Sequence, residues 1–347
     1  MKIRIETAPA YDVYIENDIL QRVGSIVASV REPGTKVLIV SDTHVFPLYG
    51  AIVDRELKES GFKTYRFIFD AGEPSKKIQT VYKIYEMMAE NNFTRKDIIL
   101  TLGGGVAGDM GGFAAATFLR GIGFVQVPTS LLAQVDSSVG GKTGVDLPFG
   151  KNLVGAFHQP LVVIADPKTL STLPKYYFND GMGEVIKYGC ISDKNLFAKL
   201  KKGIDISDMT SVIARCIELK KEVVEEDTKD IGRRMILNFG HTFGHGIEKL
   251  NNFEGIAHGE AVGIGMVIAA QIGEKLGVTA SGTTEEIIGI LKQYSLPTEC
   301  SFSKEDLIHS TMLDKKSLGD SLNLILIDQI GESNIYQTTR EELSKIM

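Results

Sequence analysis

Over the first 165 residues, apolar positions gather into short β-branched runs at 36–40, 63–69, 98–102 and 124–127, separated by stretches of helical period. The N-terminal string Met1-Lys-Ile-Arg-Ile-Glu-Thr7 alternates apolar and polar side chains as a half-buried strand does. Strands alternating with helices predict βαβ units and a largely parallel sheet. Past the double-proline segment 165–174 the period lengthens. Helices are predicted at about 180–201, 206–225, 238–250, 258–276 and 284–293, and the alternating stretch 323–328 pairs with 329–336 as a late strand pair. The expected organisation is an α/β domain over 1–170 and a helical domain over 171–347, with ligand held between them.

Composition narrows the class. A chain of 347 residues that is 43% hydrophobic and 24% charged is long enough for two buried cores and is not disordered. The N-terminus carries no apolar signal segment and no later run approaches the roughly 20 residues of a membrane span, so a cytoplasmic protein is expected. The net charge of −6 argues against nucleic acid as partner and leaves a small molecule. Cys190, Cys216 and Cys300 show no CxxC spacing, so neither a thiolate zinc site nor a disulfide framework is indicated.

Three of the six histidines stand beside acids and lysines, in Leu237-Asn-Phe-Gly-His241-Thr-Phe-Gly-His245 and His258-Gly-Glu260, with Gly183-Glu184-Val-Ile-Lys187 upstream. His241 and His245 share one face of a helix at i, i+4, and His258 can return to the same point from the next element. Imidazoles and a carboxylate suit zinc acting as a Lewis acid. Thr242 stands where a metalloprotease helix carries its glutamate base, which argues against a peptidase. Spacing alone does not choose between His241 and His245.

Gly103-Gly-Gly-Val-Ala-Gly108 follows a predicted strand and opens an apolar helix, as a pyrophosphate-binding turn does. It follows the third or fourth strand rather than the first, so this is no ordinary dehydrogenase fingerprint. Asp42 at an earlier strand end, and Glu73 with Lys76, are candidates for ribose and adenine contacts. The segment from Asp136 through Gly140-Gly-Lys142 to Lys151 and Asn152 has a residue pattern near that of a triphosphate loop, but Asp136 stands where that loop needs glycine. It reads instead as a lysine-lined anion pocket. Arg120, Lys187, Lys220, Arg234 and Lys315-Lys316 add cations suited to a substrate with two anionic groups.

Together these segments resemble the 3-dehydroquinate synthase family, and the likeness runs from about Asp42 to Gly331. The strings that carry it include Gly103-Gly-Gly-Val-Ala-Gly-Asp109, Phe118-Leu-Arg-Gly-Ile122, Gln126 through Thr143, Gly150 through Phe157, Glu184-Val-Ile-Lys-Tyr-Gly189 and the segment Leu237 to His245. The resemblance implies a Rossmann-like α/β N-terminal domain with a mostly parallel sheet, and an all-helical C-terminal domain. It implies a homodimer that converts 3-deoxy-D-arabino-heptulosonate 7-phosphate, a phosphorylated sugar acid, to 3-dehydroquinate and phosphate. NAD is used and regenerated in each turnover, and Zn2+ or Co2+ is the metal. By motif position the metal ligands are Glu184, His241 and His258, and His245 contacts the substrate phosphate. Arg120, Asp136, Lys142, Asn152, Lys187, Lys220, Arg234, Asn238 and one of Lys315 and Lys316 fall on substrate and catalytic positions, Arg120 reaching in from the second subunit. Asp42, Glu73, Lys76, Gly105, Val106, Ala107, Gly108, Asp109, Thr129, Ser130, Lys142 and Lys151 fall on cofactor positions.

The chain departs from the family pattern at several points. Asp230 replaces glutamate, Pro74-Ser75 replaces a stretch that often holds tyrosine, and Asn323 replaces a basic residue. Gly183 replaces alanine, which is expected to loosen that helix turn by about 1 kcal/mol. Rival readings are a cyclase making inosose or valiolone rings, a glycerol dehydrogenase type oxidoreductase, and an inactive binding module. Arg234 before Asn238 favours a carboxylate-bearing substrate over the first, the lysines of 142–152 argue against the second, and the complete metal and cation set argues against the third.

Overall fold

The computed structural model describes residues 1–230, 232–310 and 321–347. The chain divides into two compact units, Met1–Leu173 with Met209–Lys229, and Pro174–Asp208 with Asp230–Met347.

The first unit carries nine strands: β1 (Lys2–Ile5), β2 (Tyr11–Ile15), β3 (Lys36–Asp42), β4 (Lys63–Phe69), β5 (Ile98–Gly103), β6 (Gly123–Pro128), β7 (Lys142–Leu147), β8 (Gly150–Phe157) and β9 (Val162–Ala165). Seven form one sheet in the order β1-β2-β9-β6-β5-β3-β4, parallel throughout except for β1 against β2. Its central strands read as continuous apolar runs because both faces are covered. Alternate residues of β3 show this: Val37 and Ile39 pack with Val53 and Leu57 of α2 (Ala51–Glu59), while Leu38 and Val40 pack with Val81, Ile84 and Met88 of α3 (Ile78–Glu90). A short helix α1 (Val23–Ala28) completes the first face. On the second face α4 (Gly105–Thr117) lies close against β5, where a Cβ on Gly111 would come within 2.3 Å of the Thr101 methyl.

Chain order in this sheet reverses at one point. From β3 the chain moves outward to β4, then returns to the other side of β3 as β5 and continues away through β6. Neighbouring crossovers that leave in opposite directions open a crevice beyond the C-terminal ends of β3 and β5, the usual ligand position in such sheets. Asp42 ends β3 and Gly103 ends β5.

Within the segment read as a lysine-lined anion pocket, residues 142–157 form the antiparallel hairpin β7–β8, pairing Lys142 with Phe157 and Thr143 with Ala156. Its glycines hide the alternation from a composition reading, and Gly144 faces Gly155 across the pair, where a side chain would meet backbone.

The second unit holds α5 (Lys175–Ser192), α6 (Lys194–Lys201), α8 (His241–Leu250), α9 (His258–Leu276), α10 (Thr283–Gln293), α11 (Lys304–Ser310) and α12 (Arg340–Ile346). One antiparallel hairpin, β10 (Ser321–Gln329) with β11 (Glu332–Thr339), adds strand structure to this otherwise helical unit. The helix expected over 180–201 is broken at Asp193, whose extended backbone and carboxylate, accepting from Asn195 and Leu196 N–H, start α6 afresh. The helix α7 (Met209–Glu226), placed by chain order in the second domain, clusters with the first unit. Its Lys220 reaches Asp136 there. No helix among the described residues is long and apolar enough to cross a membrane.

Candidate metal centre and nucleotide crevice

In the second unit, α5 and α9 cross at a pair of glycines. A Cβ on Gly183 would come within 2.6 Å of the Gly259 carbonyl, and one on Gly259 within 1.9 Å of the Asp180 carbonyl. Helix propensity alone makes Gly183 a loosened turn; the packing gives it a different role, since only a bare Cα permits this approach. Asp180 reinforces the crossing by accepting the Gly259 N–H at 2.5 Å, at the first turn of α9. The consequence is that Glu184, one turn after Asp180, faces His258, the first residue of α9.

Three ligand atoms converge at that crossing. Glu184 Oε1 lies 3.5 Å from His241 Nε2 and 3.5 Å from His258 Nε2, and Glu184 is wholly buried. The ligand atoms of Glu184, His241 and His258 all lie within 4.8 Å of one another. Each ring has its other nitrogen engaged: His241 Nδ1 is 3.2 Å from the Phe239 carbonyl, and His258 Nδ1 is 3.5 Å from Glu248 Oε1. Rings held by Nδ1 with Nε2 turned to a shared point are arranged as cation ligands are. The donor set of two imidazoles and one carboxylate therefore fits a divalent ion with positions left for substrate oxygen.

The electrostatics agree. Burial and the Lys187 ammonium hold His241 well below the ordinary imidazole range. Burial also disfavours a charged His258, but hydrogen bonds to Glu184 and Glu248 outweigh it and raise that group to about 10. A bound dication supplies the positive charge that these carboxylates otherwise draw from a proton. Lys187, buried one turn from Glu184, forms an ion pair with it.

His245 sits on the exposed side of the same helix, its ring 5.3 Å from that of His241 and 5.9 Å from that of His258. Spacing left the two α8 histidines equivalent; geometry assigns only His241 to the Glu184 set. Asn238, His241, Thr242 and His245 line an opening whose other wall is Met235, Leu322, Asn323 and Ile325. Arg234 is buried at the preceding turn. Asp230 has a left-handed backbone, φ 59°. Lys316 lies outside the described residues.

In the first unit, the crevice at the chain reversal collects the nucleotide candidates. Gly104 has extended backbone, and α4 starts at Gly105 with its first N–H groups and positive dipole end beside Gly103, a ready anion site. Thr129 donates its N–H to the Gly103 carbonyl, and Ser130 Oγ lies 3.2 Å from where a Gly104 Cβ would be. The Asp42 carboxylate accepts from His44 and Val45 N–H through one oxygen and turns the other toward Gly103. Val106, Ala107 and Gly108 continue the first turns of α4, and Asp109 follows.

A buried charge cluster flanks this turn. Lys76 Nζ lies 2.7 Å from Asp109 and 3.8 Å from Glu73. Burial alone would lower the lysine, but the charges of Asp109, Glu73 and Asp146 outweigh it and lift it well above the ordinary range. Asp146, on β7, also accepts the Asn152 N–H at 2.7 Å, fixing the hairpin end that carries Lys151 and Asn152. Lys220 donates to the Asp136 carbonyl at 2.6 Å and carboxylate at 3.0 Å. Lys142 is exposed on β7, and Arg120 is exposed beyond the far end of α4.

Three residues in these sites carry no motif signal in the sequence analysis above: Glu248, Asp180 and Asp146. Glu248 was within reach of periodicity, since His241, His245 and Glu248 recur at i, i+4, i+7 on one helical face. Asp180 likewise precedes Glu184 by one turn. Asp146 has no such signal, because its partners are brought together only by the fold.

Comparison with known proteins supports the same picture. The family pattern described as 3-dehydroquinate synthase N-terminal matches residues 66–180, and that described as 3-dehydroquinate synthase C-terminal matches residues 181–317. A Clostridium acetobutylicum protein named 3-dehydroquinate synthase is 46% identical over 343 residues, covering 97% of this chain and 96% of that protein. Among solved structures, 2-deoxy-scyllo-inosose synthase complexed with carbaglucose-6-phosphate, NAD+ and Co2+ superposes with a TM-score of 0.89 at 26% identity, covering 99% of this chain and 98% of that one. The fold is shared also with 2-epi-5-epi-valiolone synthase from Streptomyces hygroscopicus subsp. jinggangensis 5008 with NAD+ and Zn2+ bound, at a TM-score of 0.87 and 24% identity, over 97% of this chain and 95% of that one.

Proposed function

The chain belongs to the 3-dehydroquinate synthase family, and we propose that it converts 3-deoxy-D-arabino-heptulosonate 7-phosphate to 3-dehydroquinate and phosphate. The observation that carries this reading is the Glu184, His241 and His258 set, buried at the α5–α9 crossing with Lys187 beside it. The cofactors are NAD and a divalent cation, Zn2+ or Co2+, as in the cyclase structures of the same fold. Glu184, His241 and His258 hold the cation. When bound, NAD and the cation supply reversible hydride transfer and polarisation of a substrate oxygen.

The chain's own residues do the rest. Lys187, kept near Glu184 in a buried site, orients the polarised hydroxyl and handles its proton. His245 and Asn238, on the rim of the opening, present donors to the phosphate as it leaves, and Arg234 holds the carboxylate. Asp136 fixes Lys220, and Lys142 and Asn152 supply further substrate contacts from the β7–β8 hairpin. Asp42, Glu73, Lys76, Thr129, Ser130, Lys151 and the residues 105–109 form the nucleotide site. The protein works in the cytoplasm as a homodimer, with the partner's Arg120 completing each site.

Phosphate release from the heptulosonate phosphate measures this directly. It is expected to require added NAD and to stop with a chelator, while NADH does not accumulate. Release from glucose 6-phosphate in its place would assign the chain to the inosose-forming cyclases, and steady NADH build-up would make it a net dehydrogenase.

A further inference from the structure

We propose that Glu248 is a positioning residue for the cation site, holding His258 by its Nδ1–H so that Nε2 faces Glu184. The inference rests on the reading of Glu184, His241 and His258 as the cation ligands. His258 opens α9, and its side chain is 28% exposed, against 12% for His241 and none for Glu184, so packing alone restrains its ring least of the three. Glu248 is only 2% exposed on α8, and its Oε1 lies 3.5 Å from His258 Nδ1, while His258 Nε2 lies the same distance from Glu184 on the opposite side of the ring. Burying a carboxylate at this depth is sustained by a hydrogen-bonded partner, and the imidazole N–H is one. His241 is held in the same way by the Phe239 carbonyl. One helix thus contributes His241 as a ligand and, two turns later, the group that aims the ligand of the next helix.

A rival use of the same atoms exists. His245, Glu248 and His258 could themselves hold a cation, with Glu248 as a ligand rather than an aiming group. The two readings differ at Nδ1, which carries a proton in one and an ion in the other.

Zinc affinity of the full-length chain, measured by competition with a chromogenic chelator, separates them. Replacing the carboxylate by an apolar group in Glu248→Leu is expected to weaken zinc binding by about 10–100-fold, the range for loss of such outer partners. Glu248→Gln keeps an oxygen acceptor and should retain affinity within a few-fold of wild type, and wild type and both variants should each bind one zinc per chain. Wild-type affinity in Glu248→Leu overturns the proposal, as does a second zinc equivalent in wild type that both variants lose. Glu184→Gln and His241→Ala are the controls. If they bind zinc as tightly as wild type, the ligand assignment itself is wrong and the aiming role falls with it; if they lose zinc and Glu248→Leu does not, only the aiming role fails.

Discussion

Lys76 shows how much one buried charge depends on its neighbours. Its ammonium is removed from water and lies 2.7 Å from Asp109, with Glu73 at 3.8 Å. Deleting one partner of such a pair leaves the other charge without compensation, at about 3 kcal/mol. Lys76→Met is therefore expected to destabilise the protein by that order in urea unfolding and to weaken NAD binding. Adding Asp109→Leu should recover part of the lost stability, because the double variant buries no lone charge. Losses that simply add would show that the two groups act independently. This pair also marks a limit of sequence reading. Family strings place Lys76 and Asp109 each at a cofactor position, but their contact joins the β4–α3 turn to α4, and no spacing reveals it. Glu184, His241 and His258 were more legible because histidine beside acid is rare and chemically narrow, whereas Glu248 passed as one more helical acid.

Elements were legible where one period dominated. The fully buried strands β3, β5 and β6 and the long helix α9 read directly from their apolar runs, since burial on both sides leaves few polar positions. The β7–β8 hairpin did not, because glycine and lysine mask its alternation. Nor did the α5–α9 crossing, where the decisive feature is a missing side chain. Gly259→Ala tests that crossing: its methyl would press on the Asp180 carbonyl, and the expected loss is about 1–3 kcal/mol, as for other overpacked contacts. Zinc content after dialysis should fall with it, since Glu184 and His258 sit on the two displaced helices. A variant with normal stability and normal zinc would show that the helices separate without strain. The β4 edge offers a pH test. Asp54 of α2 accepts from Thr64 at 2.6 Å and pairs with Lys58 at 2.7 Å and Arg66 at 3.2 Å. Burial alone would raise its carboxyl, but those hydrogen bonds and charges outweigh it and leave it below the ordinary aspartate range. A depressed carboxylate stabilises above its unfolded value of about 4 and loses that contribution as pH falls through the folded value. Asp54→Asn should therefore melt lower than wild type at pH 7, and the gap should close below about pH 4. A gap that persists at pH 2.5 would mean the effect is one of packing.

At the scale of the whole molecule, the homodimer proposed above can be tested through Arg120. The glycine turn lies at the start of α4 and Arg120 beyond its end, so 13 helical residues separate them, about 20 Å along the axis. Leu119 and Arg120 both have left-handed backbone, φ 51° and 68°, a costly conformation for residues with side chains, and it presents the guanidinium outward on an exposed tip. The proposal that the partner's Arg120 completes each site starts from that exposure and separation. Family strings place Arg120 at a substrate position, but its separation from the glycine turn is a property of the fold and not of the string. If the active site of each subunit borrows the partner's Arg120, then Arg120→Ala and Glu184→Gln are both inactive as homodimers and complement when mixed. In a mixed dimer one site carries both defects and the other carries neither. Random exchange of equal amounts makes half the dimers mixed, with one intact site in two, so about a quarter of wild-type activity should return. Recovery that grows with exchange time and stops near that value fits a shared site. Zero recovery, with mixed dimers demonstrated by differently tagged chains, would place Arg120 in its own subunit's chemistry or outside the chemistry altogether.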